Sequence, residues 1–143
     1  MSMFNAFDKI FVQLLSRWGV TILRITVALV FLWFGALKIM GESPVQDLLL
    51  SSFSFLPFEF PFVLLGYLEV AIGLGLFFSY ALRLTLAVMW LMLLGTFSAL
   101  FFNPDLFFVG NPFWLTTEGE FVIKNLVLIA SGMVIGGRDV RPK

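Results

Sequence analysis

The chain has 143 residues, 60% hydrophobic and 13% charged, with formal net charge zero and neither cysteine nor histidine. Its mean hydropathy is +1.02, whereas a soluble domain carries about 25% charged residues, so an ordinary soluble domain is excluded and nucleic acid is not an expected partner. The missing residue types exclude disulfides, thiol redox chemistry, imidazole-bound haem and the usual zinc or copper sites, so neither a metal nor a covalently bound cofactor is expected.

The apolar residues gather into runs long enough to cross a bilayer. The fold class that follows is all-α: one membrane domain over 1–143, a four-helix bundle with an N-terminal amphipathic helix. In chain order, "MSMFNAFDKIFVQLLSR" comes first. Phe4, Phe7, Phe11, Leu14 and Leu15 recur at helical spacing, with Asp8, Lys9 and Gln13 on the other side. This predicts a helix over 3–16 lying in the membrane interface; a plain extension of the first span fits the same residues. A cleavable signal peptide is not expected, because the apolar run is too long and Asp8 falls in the would-be basic region.

Four spans are predicted, over about 18–40, 62–82, 84–102 and 120–136, with a tight turn marked by Arg83. The last is short for a core of about 30 Å, so it should begin in the preceding loop. Between the first two spans, "SPVQDLLLSSFSFLPFEFPF" mixes Ser and Pro with five phenylalanines; Ser43-Pro44 could open a short helix. Between the third and fourth, "NPDLFFVGNPFWL" has two Asn-Pro breaks and four aromatics. Both loops suit the interface. Thr117 and Glu120 have the spacing of a capping box at the start of the fourth span.

Orientation follows from the cations. Lys9, Arg17, Arg83, Arg138, Arg141 and Lys143 fall on one side of a four-span chain. The loops 41–61 and 103–119 carry acids and no Lys or Arg. Both termini are therefore expected in the cytoplasm.

Four ionisable residues fall within the spans: Arg24, Lys38, Glu69 and Lys124. Each costs about 2.5–3.5 kcal/mol at the bilayer centre and normally faces the bundle interior with a partner. Arg24, Ala28, Phe31, Gly35 and Lys38 share one face of span one, with the two cations roughly 21 Å apart. Gly66, Glu69 and Gly73 share a face of span two, where small residues let helices approach closely. Depth brings Lys38, Glu69 and Lys124 together near the outer surface, with Asn125 and Tyr67 as further hydrogen-bond partners of less favourable phase. Arg24 has no acid at its depth, which leaves it phosphates, backbone carbonyls or a bound anion.

The same charges also fit a purely structural role, with Glu69 pairing to fix register between helices and the lysines reaching out to the interface. Met89 and Met92 read as core filler.

The segments "RITVALVFLWFGALKIMG", "LLGYLEVAIGLGLFF" and "EGEFVIKNLVLIASGMVIGG" resemble the DoxX-like family of small bacterial membrane proteins. The shared features are an early Arg in span one, Gly35 to Lys38 at its end, Glu69 in a Gly-rich span two and a polar opening to span four. "EFVIKNLVLI" most resembles the branch linked to reactive-chlorine resistance. The resemblance implies a four-helix membrane fold and an accessory or anchor role beside a redox or oxidative-stress system. The expected function is a non-catalytic subunit that binds a quinone or lipid. Lys38, Glu69, Lys124, Asn125, Tyr67 and Arg24 are the candidate site, and Trp33, Phe34 and Tyr67 its aromatic walls. Expected partners are membrane lipid, quinone, a soluble or membrane oxidoreductase, and further copies of the chain. A small oligomeric transporter and a ligand-free scaffold are the competing readings.

Overall fold

The computed structural model describes residues 3–43 and 60–140. Within them the helices are α1 (Met3–Met40), α2 (Phe60–Phe77), α3 (Leu82–Phe102), α4 (Thr117–Ile123) and α5 (Asn125–Asp139). A single 3-10 turn, Pro104–Leu106, follows α3. No strand occurs among the described residues, only one antiparallel bridge between Phe108 and Leu115. Three stretches are long and apolar enough to cross a membrane: Phe7–Met40, Leu82–Phe102 and Thr117–Asp139, the last running through α4 and α5. Helix α2 has 18 residues, rising about 27 Å, and its apolar part Phe62–Phe77 is shorter than those three.

Several expectations change at this level. Residues 3–16 are not a separate helix that turns before the first span; α1 runs 38 residues without a break. The reason is local: no proline or glycine precedes Gly19, so nothing interrupts the backbone ladder. The short helix expected at Ser43-Pro44, like most of the loop that follows, lies outside the described residues. The turn between the second and third helices is Phe78–Ala81, and Arg83 already lies in the first turn of α3. The fourth span does begin in the preceding loop, at Thr117, but its cap is Thr116 rather than Thr117. Thr116 Oγ1 accepts from Gly119 N at 3.0 Å and donates to Leu106 O at 2.8 Å.

Helices α1 and α2 meet along the two small-residue faces read from the sequence. A Cβ on Gly35 would lie 2.7 Å from Gly66 O and 2.9 Å from Val70 N, and one on Gly73 would lie 2.9 Å from Ala28 O. The two backbones are therefore in contact, an approach open only to residues without a Cβ. Around the contact, Val27, Ala28, Phe31, Ile72, Leu76, Leu86, Met89, Leu93 and Ile135 form a buried apolar core. A smaller cluster of Ala99, Leu100, Phe107 and Val122 closes the end of the bundle away from the termini. There the loop after α3 folds back as a tight hairpin. Gly110 has φ 64, Val109 N donates to Trp114 O at 2.8 Å and Phe113 N to Asn111 Oδ1 at 3.0 Å.

At the opposite end, the α2–α3 turn holds two non-glycine residues in the left-handed region, Ser79 at φ 56 and Ala81 at φ 44. Such a residue costs about 1–3 kcal/mol. Ala81 is exposed, so burial of its side chain offsets little of this. Ala81→Gly is expected to raise the thermal unfolding midpoint by a few degrees, and Ala81→Val to lower it, when both are compared with the parent in detergent.

Candidate functional site

The polar residues at the end away from the termini meet in one cavity. Lys38 Nζ donates to both carboxylate oxygens of Glu69, at 2.9 Å to Oε1 and 2.7 Å to Oε2. The pair is buried, with Lys38 5% and Glu69 9% exposed. Its position follows from the glycine contact: Gly66 lies one turn before Glu69 on the same face, and Lys38 Cβ lies only 3.0 Å from where a Gly66 Cβ would sit. Close backbones bring a long side chain on one helix directly against a shorter one on the next.

The cavity is lined by Lys38, Glu69, Thr96 and Asn125, with walls that include Phe31, Phe34, Leu65, Met92, Phe107 and Phe121. The space a water-sized sphere can reach inside it is about 60 Å³. A water needs about 10–15 Å³ of such space, so the cavity in this conformation has room for a few waters. The Phe34 and Phe121 rings stand 5.9 Å apart, tilted by 41°. Phe34 is partly exposed, so this pair forms the side wall between α1 and α4.

Two lining groups retain hydrogen-bonding capacity. Asn125 is 7% exposed, lines the cavity, and its amide bonds to no described residue. An asparagine amide carries two donors and an acceptor, and buried polar groups are normally satisfied. Thr96 Oγ1 donates to Met92 O at 3.1 Å, which leaves its oxygen able to accept. Lys38 has three N–H bonds, two of them directed at Glu69. The cavity therefore offers donors from Asn125 and Lys38 and acceptors from Asn125, Thr96 and Glu69. The ion pair is neutral as a whole.

Lys124 does not join this cluster. Its side chain is 71% exposed, and Nζ lies 3.6 Å from Glu120 Oε2 in an i,i+4 pair on the surface of α4. The helix is interrupted at Lys124, which ends α4 and precedes α5, and the residue that points inward is Asn125. Depth along the chain was sound here; helical phase was not. Tyr67 is 58% exposed, because two positions from Glu69 is 200° around a helix. Trp33 also faces outward, while Phe34 lines the cavity as expected.

Arg24 belongs to a different structure at the terminal end, and it does have an acidic partner. Its Nε lies 3.0 Å from Asp139 Oδ2, an ion pair bent away from a linear hydrogen bond. Nη1 donates to Leu76 O at 2.7 Å, to Phe77 O at 3.5 Å and to Ser79 Oγ. Leu76 O and Phe77 O are C-terminal carbonyls of α2, groups that a helix end leaves unsatisfied, and Ser79 Oγ belongs to the turn that follows. Asp139 was missed because α5 continues one turn beyond Gly136, the residue at which the fourth span was expected to end. Arg138 Nη2 donates to Arg17 O at 2.9 Å, tying α5 to α1 at the same end. Arg24 is thus a cap and a three-helix tie.

Thr96, Phe107 and Phe121 were not singled out in the sequence. Thr96 carried a signal, as a polar residue on the α3 face that also holds Leu93 and Leu100, both buried. Phe107 carried none, since the loop hairpin that turns it inward is a tertiary feature.

No family model matches the chain, and neither a curated protein nor a solved structure is significantly similar to it. Fold and site together define an all-helical chain, among the described residues, with three segments long and apolar enough to cross a membrane and a buried ion pair beside a small polar cavity.

Proposed function

We propose that this is a multi-pass inner-membrane protein of the DoxX-like kind, with four spans and both termini cytoplasmic, whose cavity receives the polar head of a small amphiphile. It is an accessory or anchor beside a redox or oxidative-stress partner and catalyses nothing alone. The observation that carries this reading is the Asn125 amide, which bonds to no described residue, beside the Lys38–Glu69 pair and within apolar walls. A site of that make-up suits a neutral head bearing carbonyl or hydroxyl oxygens with an apolar ring or tail, as in a quinone or an uncharged lipid. The ion pair has no net charge to spend on an ionic head. The amphiphile reaches the cavity from the lipid between Phe34 and Phe121, and those rings swing apart to admit it.

The topology rests on charge. Lys9, Arg17, Arg83 and Arg138 gather at the terminal end, and Glu42, Asp105, Glu118 and Glu120 at the other. The positive end faces the cytoplasm.

A transport pathway within one chain is disfavoured by the layer between the two polar ends. Ala28, Phe31, Ile72, Leu76, Met89 and Leu93 are each at most 3% exposed and leave Arg24 and Lys38 separated by packed hydrocarbon. The scaffold reading draws on a different observation, the mutual satisfaction of Lys38 and Glu69.

The test is saturable binding of a short-chain benzoquinone to the purified protein in detergent, measured by equilibrium dialysis. One molecule per chain is expected. Asn125→Leu should weaken binding at least tenfold, while Lys124→Gln and Tyr67→Phe leave it unchanged. Equal binding by Asn125→Leu and the parent would move the ligand elsewhere, and no saturable binding by the parent would favour the scaffold.

A further inference from the structure

Four helices each place one polar side chain on the cavity: Lys38 from α1, Glu69 from α2, Thr96 from α3 and Asn125 from α5. Their hydrogen-bonding capacities are unbalanced. An ionised carboxylate has about four acceptor sites. Among the described residues only Lys38 donates to Glu69, at 2.9 and 2.7 Å, so about half of that capacity is open. Thr96 directs its hydroxyl proton to Met92 O, so towards a bound molecule its oxygen only accepts. Against these acceptors stand the Asn125 amide and the remaining N–H of Lys38. Every other lining residue has an apolar side chain, so the walls supply no further donor.

This imbalance decides which polar head fits. The cavity has room for a few waters, and water both donates and accepts. A head with only carbonyl or ether oxygens accepts from Asn125 but offers Glu69 and Thr96 nothing. A buried acceptor stripped of its donor costs free energy. A ligand that cannot reproduce the hydrogen bonds of the water it displaces therefore binds more weakly. A hydroxyl head replaces the water on both counts, since its oxygen accepts from Asn125 and its proton goes to an open acceptor. Glu69 is the stronger of the two acceptors because it is charged. Resting on the amphiphile reading above, we infer that the head this cavity takes carries a hydroxyl that donates to Glu69, as in a phenol, a quinol or a lipid alcohol. Heads limited to carbonyl or ether oxygens are held more weakly.

Equilibrium dialysis under argon, with the full chain in detergent, tests this on three compounds that share a ring and a short tail: an alkyl hydroquinone, its quinone and its dimethyl ether. The hydroquinone should bind about tenfold more tightly than the other two, as one hydrogen bond to a charged group implies. The quinone has nearly the same size and shape, so the difference reads the hydroxyl protons. In Lys38→Met/Glu69→Leu, which strands no charge, the three affinities should converge. In Asn125→Leu all three should fall together and the hydroquinone preference persist. Equal affinities for the three compounds in the parent, or an undiminished preference in the double variant, would overturn the assignment to Glu69 and leave the amphiphile reading standing. Saturable binding by none of the three would overturn both. Competition with a monoacylglycerol separates the two sources of a hydroxyl: displacement of the hydroquinone at equal concentration gives the site to a lipid alcohol, and no displacement gives it to a phenol.

Discussion

Glu69→Gln should destabilise the protein by about 3–5 kcal/mol, because it leaves the Lys38 ammonium buried without its counter-charge. Lys38→Met should cost a similar amount by stranding the carboxylate. The pair is joined at 2.7 and 2.9 Å among apolar walls, so neither group can turn to bulk water without opening the bundle. The double variant Lys38→Met/Glu69→Leu buries no charge and should recover most of the loss, since a buried pair is often worth no more than hydrocarbon of the same volume. The double variant should therefore lose far less than the two singles together, a large coupling between the two sites that is negative when the singles' losses are subtracted from the double's. Chemical unfolding in mixed micelles would measure it. Single variants within about 0.5 kcal/mol of the parent would mean that the pair is hydrated and the cavity wet.

The second large effect is expected at Gly35. A Cβ there would meet Gly66 O at 2.7 Å and Val70 N at 2.9 Å. Both are backbone atoms of α2, which cannot rotate aside as a side chain would. Gly35→Leu must therefore push the two helices apart, at a cost of about 1–3 kcal/mol or more. Because Lys38 is less than one turn further along α1, the same displacement should pull it away from Glu69. Gly95→Ala on α3 is the matched control. Nothing lies within 4 Å of a Cβ at that position, and alanine is the better helix former by about 1 kcal/mol, so this variant should be neutral or more stable. A Gly35→Leu protein as stable as the parent would show that the α1–α2 contact is looser than these distances imply.

How far the sequence could be read depended on whether a residue sat in an uninterrupted helix. Along α1 and α2 the 3.6-residue period holds without a break, and the stripes Ala28–Phe31–Gly35–Lys38 and Gly66–Glu69–Gly73 are buried as expected. The Lys38–Glu69 partnership followed from those two phases plus depth. Lys124 failed on phase: it shares the exposed face of α4 with Glu120, one turn earlier, and the inward face falls one residue further on. Asn125, ranked below it, takes the inward position. Tyr67 was admitted for its chemistry although its phase already placed it outside. Arg24 and Asp139 lie far apart in sequence, and their meeting depends on how far α5 runs before it ends. The hairpin that buries Phe107 depends on contacts between Phe108 and Leu115 and between Thr116 and Leu106, none of which has a periodic signature.

The measurement closest to the central claim is an experimental structure of the protein extracted from its native membrane without added ligand. Non-protein density within hydrogen-bonding distance of the Asn125 amide, with the Lys38–Glu69 pair intact and Phe34 and Phe121 moved apart, is the expected result. An Asn125 amide bonded to protein, with the two rings closed over an otherwise empty cavity, would contradict it.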